Sequence, residues 1–134
     1  MIIDKKLIMA DGLTLVKDIS ALATATSTVL DLVKPGMYDN AWFYLRIDAD
    51  VAGTSSTIKF DLMTSSDNFS SSSVVLFSTG ALVEAGLTAD TEIVKIRLPI
   101  GVLRYLKVVA TVAVADTTTG SFDALIVPDV NESF

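Results

Sequence analysis

The chain has 134 residues with 16 acidic against 10 basic side chains, a formal charge of −6, no His, no Cys and no Gln; 51% of it is apolar and 19% charged. The lack of Cys and His excludes disulfides, thiolate and imidazole metal sites and Ser-His-Asp machinery, and an acidic chain with scattered cations is poorly suited to a phosphate backbone. One domain is expected at this length, burying about two-thirds of the surface its unfolded chain exposes, and no apolar run approaches the roughly 20 residues of a spanning helix.

Residues 1–12 read as an N-terminal arm or edge strand, and 13–134 as a single β-sandwich domain. In the opening MIIDKKLIMA, Asp4, Lys5 and Lys6 stand where a signal peptide would carry its apolar stretch, so export by that route is not expected. Ile2, Ile3, Leu7, Ile8 and Met9 are too many apolar groups for a tail free in water, yet the charges interrupt them as no buried strand would favour. An arm across a neighbouring subunit would bury the first set and leave the second at a polar rim, which makes Ile3, Lys5 and Leu7 candidate partner contacts. Deleting residues 2–9 is therefore expected to spare the fold. Residues 13–25, with Leu15, Ile19 and Leu22 near helical spacing, are the one candidate helix, although the Thr-Ala-Thr-Ser end disfavours it.

Beyond this window the chain is cut into short segments by Pro35-Gly36, Gly53, the tract from Ser65 to Ser73, Gly80, Gly86, Pro99 to Gly101 and Gly120. Segment 27–33 reads as a short strand. In 41–49, Phe43, Leu45, Ile47 and Ala49 share one face and Trp42, Tyr44, Arg46 and Asp48 the other; in 57–64, Ile58, Phe60 and Leu62 oppose Lys59, Asp61 and Met63. Segment 73–79 is another short strand. In 92–98, Val94, Ile96 and Leu98 oppose Ile93, Lys95 and Arg97. In 104–114, Leu106, Val108, Ala110, Val112 and Val114 oppose Tyr105, Lys107, Val109, Thr111 and Ala113, and 121–127 closes the series. About eight such strands predict an all-β, antiparallel sandwich or barrel. The expected core is Phe43, Leu45, Ile47, Ile58, Phe60, Leu62, Val94, Ile96, Leu106, Val108 and Val112.

Candidate chemistry is sparse. Asp48 and Asp50 before Gly53 suggest a calcium loop, but the closing Glu of an EF-hand is missing and a solvated strand end is the plainer reading. Asp48, Asp61, Asp67 and Glu92 offer carboxylates of the kind glycoside hydrolysis uses, with nothing in the sequence to bring two together. Trp42 and Tyr44 on the polar face of a strand suit sugar stacking or a protein interface, unless a sheet or loop covers them. Ser and Thr number 27, and SSDNFSSSS at 65–73 reads as a flexible hairpin tip; its Asn68-Phe69-Ser70 sequon has no secretory signal to go with it.

Several stretches in colinear order carry a resemblance. They are Asp4-Lys5-Lys6-Leu7, the Thr/Ser-rich run from Ser27 to Leu32, Ser66 to Ser71 ahead of Leu76-Phe77, and Leu98-Pro99-Ile100-Gly101 followed by Arg104-Tyr105-Leu106. Together they resemble the small capsid cement, or decoration, proteins of tailed phages, of the jelly-roll kind found in a Bordetella podophage. Residues 12–23 look longer than that family's usual opening, and 33–45 has no evident counterpart. The resemblance implies a jelly-roll β-sandwich and a homo-oligomer of two or three chains. It further implies a place in the virion, on the outside of an icosahedral head, after synthesis in the host cytoplasm. There it would clamp neighbouring major capsid subunits, with no catalytic residue, metal or cofactor and no nucleic-acid or membrane partner. The alternative from the residues themselves is a carbohydrate-binding sandwich with Trp42 and Tyr44 as its platform.

Overall fold

Strands whose side chains alternate with period two must bury one face, and two sheets packed face to face let each sheet bury the other's. The structure is a computed structural model, and it describes residues 8–15, 24–32, 41–53, 55–98 and 101–127. Within these it has nine strands: β1 (Ile8–Thr14), β2 (Thr24–Thr26), β3 (Leu30–Asp31), β4 (Trp42–Gly53), β5 (Thr57–Ser65), β6 (Val74–Val83), β7 (Glu92–Arg97), β8 (Tyr105–Ala113) and β9 (Thr117–Val127). The described helix is a single 3-10 turn, Glu84–Gly86.

One sheet has the order β1-β9-β4-β7; the other has β2-β8-β5-β6, with the two-residue β3 also paired to β8. All the pairings are antiparallel. The chain crosses from one sheet to the other between β1 and β2, β3 and β4, β4 and β5, β6 and β7, β7 and β8, and β8 and β9, staying in one layer only from β2 to β3 and from β5 to β6. That interleaving of a four-stranded and a five-stranded layer is a double-sheet, jelly-roll-like sandwich.

The alternation places the inner faces as the sequence predicts. Phe43, Leu45, Ile47, Ile58, Phe60, Leu62, Val94, Leu106, Val108 and Val112 are buried in one continuous core, joined by Phe122, Ala124 and Ile126 of β9. Ile96 differs, being only partly buried, because β7 is an edge strand among the described residues. Phe60 and Phe122 meet across the layers with ring centroids 5.2 Å apart and planes at 67°, the edge-to-face geometry aromatic quadrupoles favour.

Residues 13–25 are not helical where they are described. Leu13 and Thr14 belong to β1, and buried Leu15 donates its amide to the Gly120 carbonyl at 2.9 Å. Thr24–Thr26 pairs with Val109–Thr111 of β8. Ladder bonds to neighbouring strands hold both described ends of this window as strand, and residues 16–23, with Ile19 and Leu22, lie outside the described residues. At the other end of β9, Gly120 has φ 135° and lies so close to β4 that a Cβ there would sit 2.9 Å from Val51 Cγ2. A side chain at that position would push apart the two longest strands of the first sheet.

Phe60→Ala is expected to lower unfolding free energy by about 3–5 kcal/mol, through lost burial and the cavity left between the layers. Urea unfolding followed by circular dichroism measures this, and a loss below about 1 kcal/mol would mean that the inter-sheet contact is not what holds the layers.

Candidate functional site

The outer face of the first sheet carries the residues that the sequence singles out. Trp42 lies opposite Arg97 of β7 and Val127 of β9, and Tyr44 opposite Lys95 and Leu125. Trp42 is half-buried, with the Arg97 guanidinium 5.8 Å from its ring centroid. Tyr44 is only 8% exposed and packs with Leu125, Val127 and Ile8 in a second, small apolar cluster outside the main core. Burial is the main cause that pushes the Tyr44 phenol above its ordinary pKa, and the Glu92 charge adds to it. The two rings therefore do not form a pair of open stacking surfaces. Ile3, Lys5 and Leu7 lie outside the described residues. The described chain is already a strand at Ile8, and Met9 is 2% exposed within the main core.

Next along β4 comes a polar pin. Arg46 Nε donates to Asp123 Oδ2 at 3.0 Å, and its Nη1 lies 3.9 Å from Asp90. Asp123 Oδ1 accepts the Gly12 amide at 2.7 Å, so this carboxylate, in a residue 6% exposed, ties β1, β9 and β4 together. Its hydrogen bond is the main cause holding the Arg46 guanidinium above its ordinary pKa. Asp123 is not among the residues that the strand pattern singles out. The available signal was a lone acid inside the apolar run Phe122 to Val127, in a chain whose outward Arg46 needs a partner.

Asp48, Asp50 and Asp61, considered for calcium or hydrolysis, have structural bonds instead. Asp48 accepts from the Ser121 hydroxyl at 3.1 Å and Asp50 from the Ala89 amide at 2.6 Å. Asp61 lies 3.5 Å from the Lys59 ammonium on the outer face of the second sheet. Among the described residues no group of three or more metal-ligating side chains could hold an ion.

Asp67 organises the Ser-rich turn. Its carboxylate accepts from the Ser71 amide and hydroxyl, the Ser72 hydroxyl and the Ser65 hydroxyl, while Ser65 Oγ accepts the amides of Asp67 and Phe69. Asn68 and Phe69 both take positive φ, and the Lys107 ammonium lies 4.1 Å from the Phe69 ring centroid. These bonds, from Ser71 first and then Ser65, hold the Asp67 carboxyl well below the usual carboxylate range. The tract expected to be a flexible tip is thus a hydrogen-bonded knot. At the opposite end, Glu84 is lowered chiefly by the Ser56 hydroxyl and then by the Ser55 amide, beside a shallow cavity of about 230 Å³ lined by Ser55, Ser56, Val83, Glu84 and Ala85.

A family model described as Bbp16 matches residues 16–126. The match takes in the Ser27 to Leu32, Ser66 to Ser71 and Leu98 to Leu106 stretches, and also the segment 33–45. No curated protein matches the sequence.

Two outcomes follow from this geometry. EDTA is expected to leave the melting temperature unchanged, because Asp48 and Asp50 are held by protein donors; a fall of several degrees would restore the calcium reading. Asp67 has its folded pKa depressed, so its contribution to stability is full above the unfolded value of about 4 and is lost as pH falls below it. Asp67→Asn should therefore be less stable than the parent chain at pH 7, with the gap closing on acidification. Melting temperatures at a series of pH values test this, and a gap that stays constant would contradict it.

Proposed function

The chain belongs to the Bbp16 family, and from that premise we propose that it is a structural virion protein. It binds the outside of an icosahedral phage head as a homo-oligomer and stabilises contacts between major capsid subunits. The single observation that carries this reading is the family match over residues 16–126, which takes in three of the four stretches that resemble tailed-phage cement proteins; the family's name also fits a protein of a Bordetella phage. The jelly-roll-like sandwich agrees with the fold this role implies. In this role the protein catalyses nothing, needs no cofactor and contacts neither nucleic acid nor membrane. Many copies on one surface gain by avidity, so each contact can be modest.

The carbohydrate-binding reading is the second choice. A stacking platform needs flat faces open to a sugar, and Tyr44 lies under its neighbours Leu125, Val127 and Ile8.

Co-expression with the major capsid protein encoded in the same genome, followed by sedimentation and electron cryomicroscopy of the heads, tests the proposal. The expected result is density for this chain on the outer surface, bridging neighbouring capsid subunits. Failure to co-sediment, or density inside the head, overturns it. Because β1 begins at Ile8, the arm is tested by deleting residues 2–7 rather than 2–9. That variant should keep the parent circular dichroism spectrum and bind heads more weakly; full occupancy would place the clamp elsewhere.

A further inference from the structure

One end of the sandwich gathers the turns from β4 to β5, from β6 into the 3-10 turn Glu84–Gly86, and from β8 to β9. Val83 and Val114 there are 66% and 72% exposed, the highest values among the large apolar side chains of the described residues. They share the tip of the second sheet, because Val83 and Ala113 both lie opposite Thr57, on its two sides and so about 10 Å apart. Val114 also has φ 74°, and it is the one β-branched side chain among the described non-glycine residues with positive φ. Its Cβ crowds the backbone in that conformation, which Asn tolerates better and Gly avoids. Ladders from Thr57 to Ala113 and from Gly53 to Thr117 hold the turn from both sides, so the strain persists. At 72% exposure the side chain fills no space in the core that would offset it.

Acids border these two valines. Glu84 follows Val83, Asp116 stands two residues after Val114, and the two segments meet at Gly53, where a Cβ would touch both the Asp116 backbone carbonyl and Glu84 Oε2. Asp50 lies three residues before Gly53 on β4, while the cations of β4 and β5, Arg46 and Lys59, are engaged by Asp123 at 3.0 Å and Asp61 at 3.5 Å. Glu84 also fixes the tip, accepting the Ser55 amide at 2.8 Å and the Ser56 hydroxyl at 2.7 Å. The cavity of about 230 Å³ beside it has Val83 and this carboxylate in its wall, which suits the aliphatic stem and charged head of a Lys or Arg side chain.

We propose that this tip docks on another protein, whose surface offers an apolar recess to Val83 and Val114 bordered by Lys or Arg side chains. A second copy does not fit, because it would set the same acids face to face, and the phosphates of a nucleic acid or an anionic membrane are repelled on the same ground. The inference rests on the function proposed above, under which the recess belongs to the major capsid protein. Ile8 pairs with Leu125, far along β9 from Thr117, so this contact is separate from the one proposed for the arm. Strain in a residue that serves a partner gives a distinctive signature: relieving it stabilises the free chain and weakens the complex.

The test titrates heads assembled without this chain with the parent and with Val114→Asn and Val83→Ser variants, reading co-sedimentation, and measures the melting temperature of each free chain. Val114→Asn is expected to melt a few degrees above the parent, since Asn accepts the left-handed φ, and yet to bind heads about tenfold more weakly. Val83→Ser should bind more weakly by a similar factor. Val29→Ser, at a 40% exposed valine between β2 and β3, should bind as the parent does. Added salt should weaken binding of the parent by screening the acidic rim. A parent that does not bind heads overturns the proposed function and this inference with it. A parent that binds while Val114→Asn or Val83→Ser binds equally well overturns this inference alone. So does a lower melting temperature for Val114→Asn, a Val29→Ser chain as weak as the other two, or binding that salt strengthens. Self-association of the parent that Val114→Asn abolishes would make the tip a contact between copies and overturn it as well.

Discussion

The contact on which the molecule depends is the dry layer between the two sheets, with Phe60 and Phe122 edge to face near its centre. Neither sheet can bury its own apolar face, so the strands are stable only as a pair of layers. Phe60 sits on β5 and Phe122 on β9, and each of these strands is flanked by ladders on both sides. A change at that contact is therefore felt by both neighbours in both sheets. The serial crossing of the chain between layers makes the same core the shared product of strands far apart in sequence.

Polar groups are distributed to suit that layer. None of the described buried side-chain nitrogens or oxygens lacks a hydrogen-bond partner, and the means are local. Thr64 Oγ1 accepts the Leu103 amide and donates to the Tyr105 carbonyl; Ser27 Oγ accepts the Val108 amide; the Thr117 hydroxyl donates to the Leu15 carbonyl. Asp123 is the most consequential case, since an ionised carboxylate at 6% exposure needs both the Gly12 amide and Arg46 to offset its desolvation. The short β3 is held in a comparable way, by the two-point Arg104–Asp31 pair at 2.7 and 2.9 Å. An exposed pair of this kind contributes little alone, but it fixes a two-residue strand that few ladder bonds support.

How much of this was legible follows from what period two can report. β4, β5 and β8 each have an alternating apolar run, and along it the sequence names the buried side chains correctly from Phe43 to Ile47, Ile58 to Leu62 and Leu106 to Val112. β9 is buried on both faces from Phe122 to Val127, so its alternation vanishes and Asp123 passes for a surface acid. The covering of Tyr44 has a similar cause: it depends on Leu125, Val127 and Ile8 arriving beside it, and pairing partners distant in sequence leave no mark on β4 itself. β6 is the short strand read at 73–79 but runs on to Val83, because Gly80 sits at a bulge within a continuing strand and not at a turn that ends it. The Ser-rich turn was misread through composition. Six serines in nine residues suggest mobility, whereas one aspartate among them gathers their donors into a closed network.

The arrangement of acids bears on what kind of partner suits the molecule. Asp31, Asp48, Asp50, Asp61, Asp67, Glu84 and Asp123 each accept a bond from, or pair with, a group of this same chain, so much of the negative charge is engaged in holding turns and strands. A carboxylate tied in this way is a poor general base or metal ligand, since using it would require breaking a fold contact. It is well suited to a surface that must stay rigid while touching another protein, because ordered turns lose little further entropy when a partner covers them. Among the described residues, backbone edges and exposed apolar side chains such as Val74, Val75 and Val83 are open to such contacts. Those give extended, shape-dependent adhesion instead of chemistry at a point, which is the physical character a protein spread in many copies over a larger assembly requires.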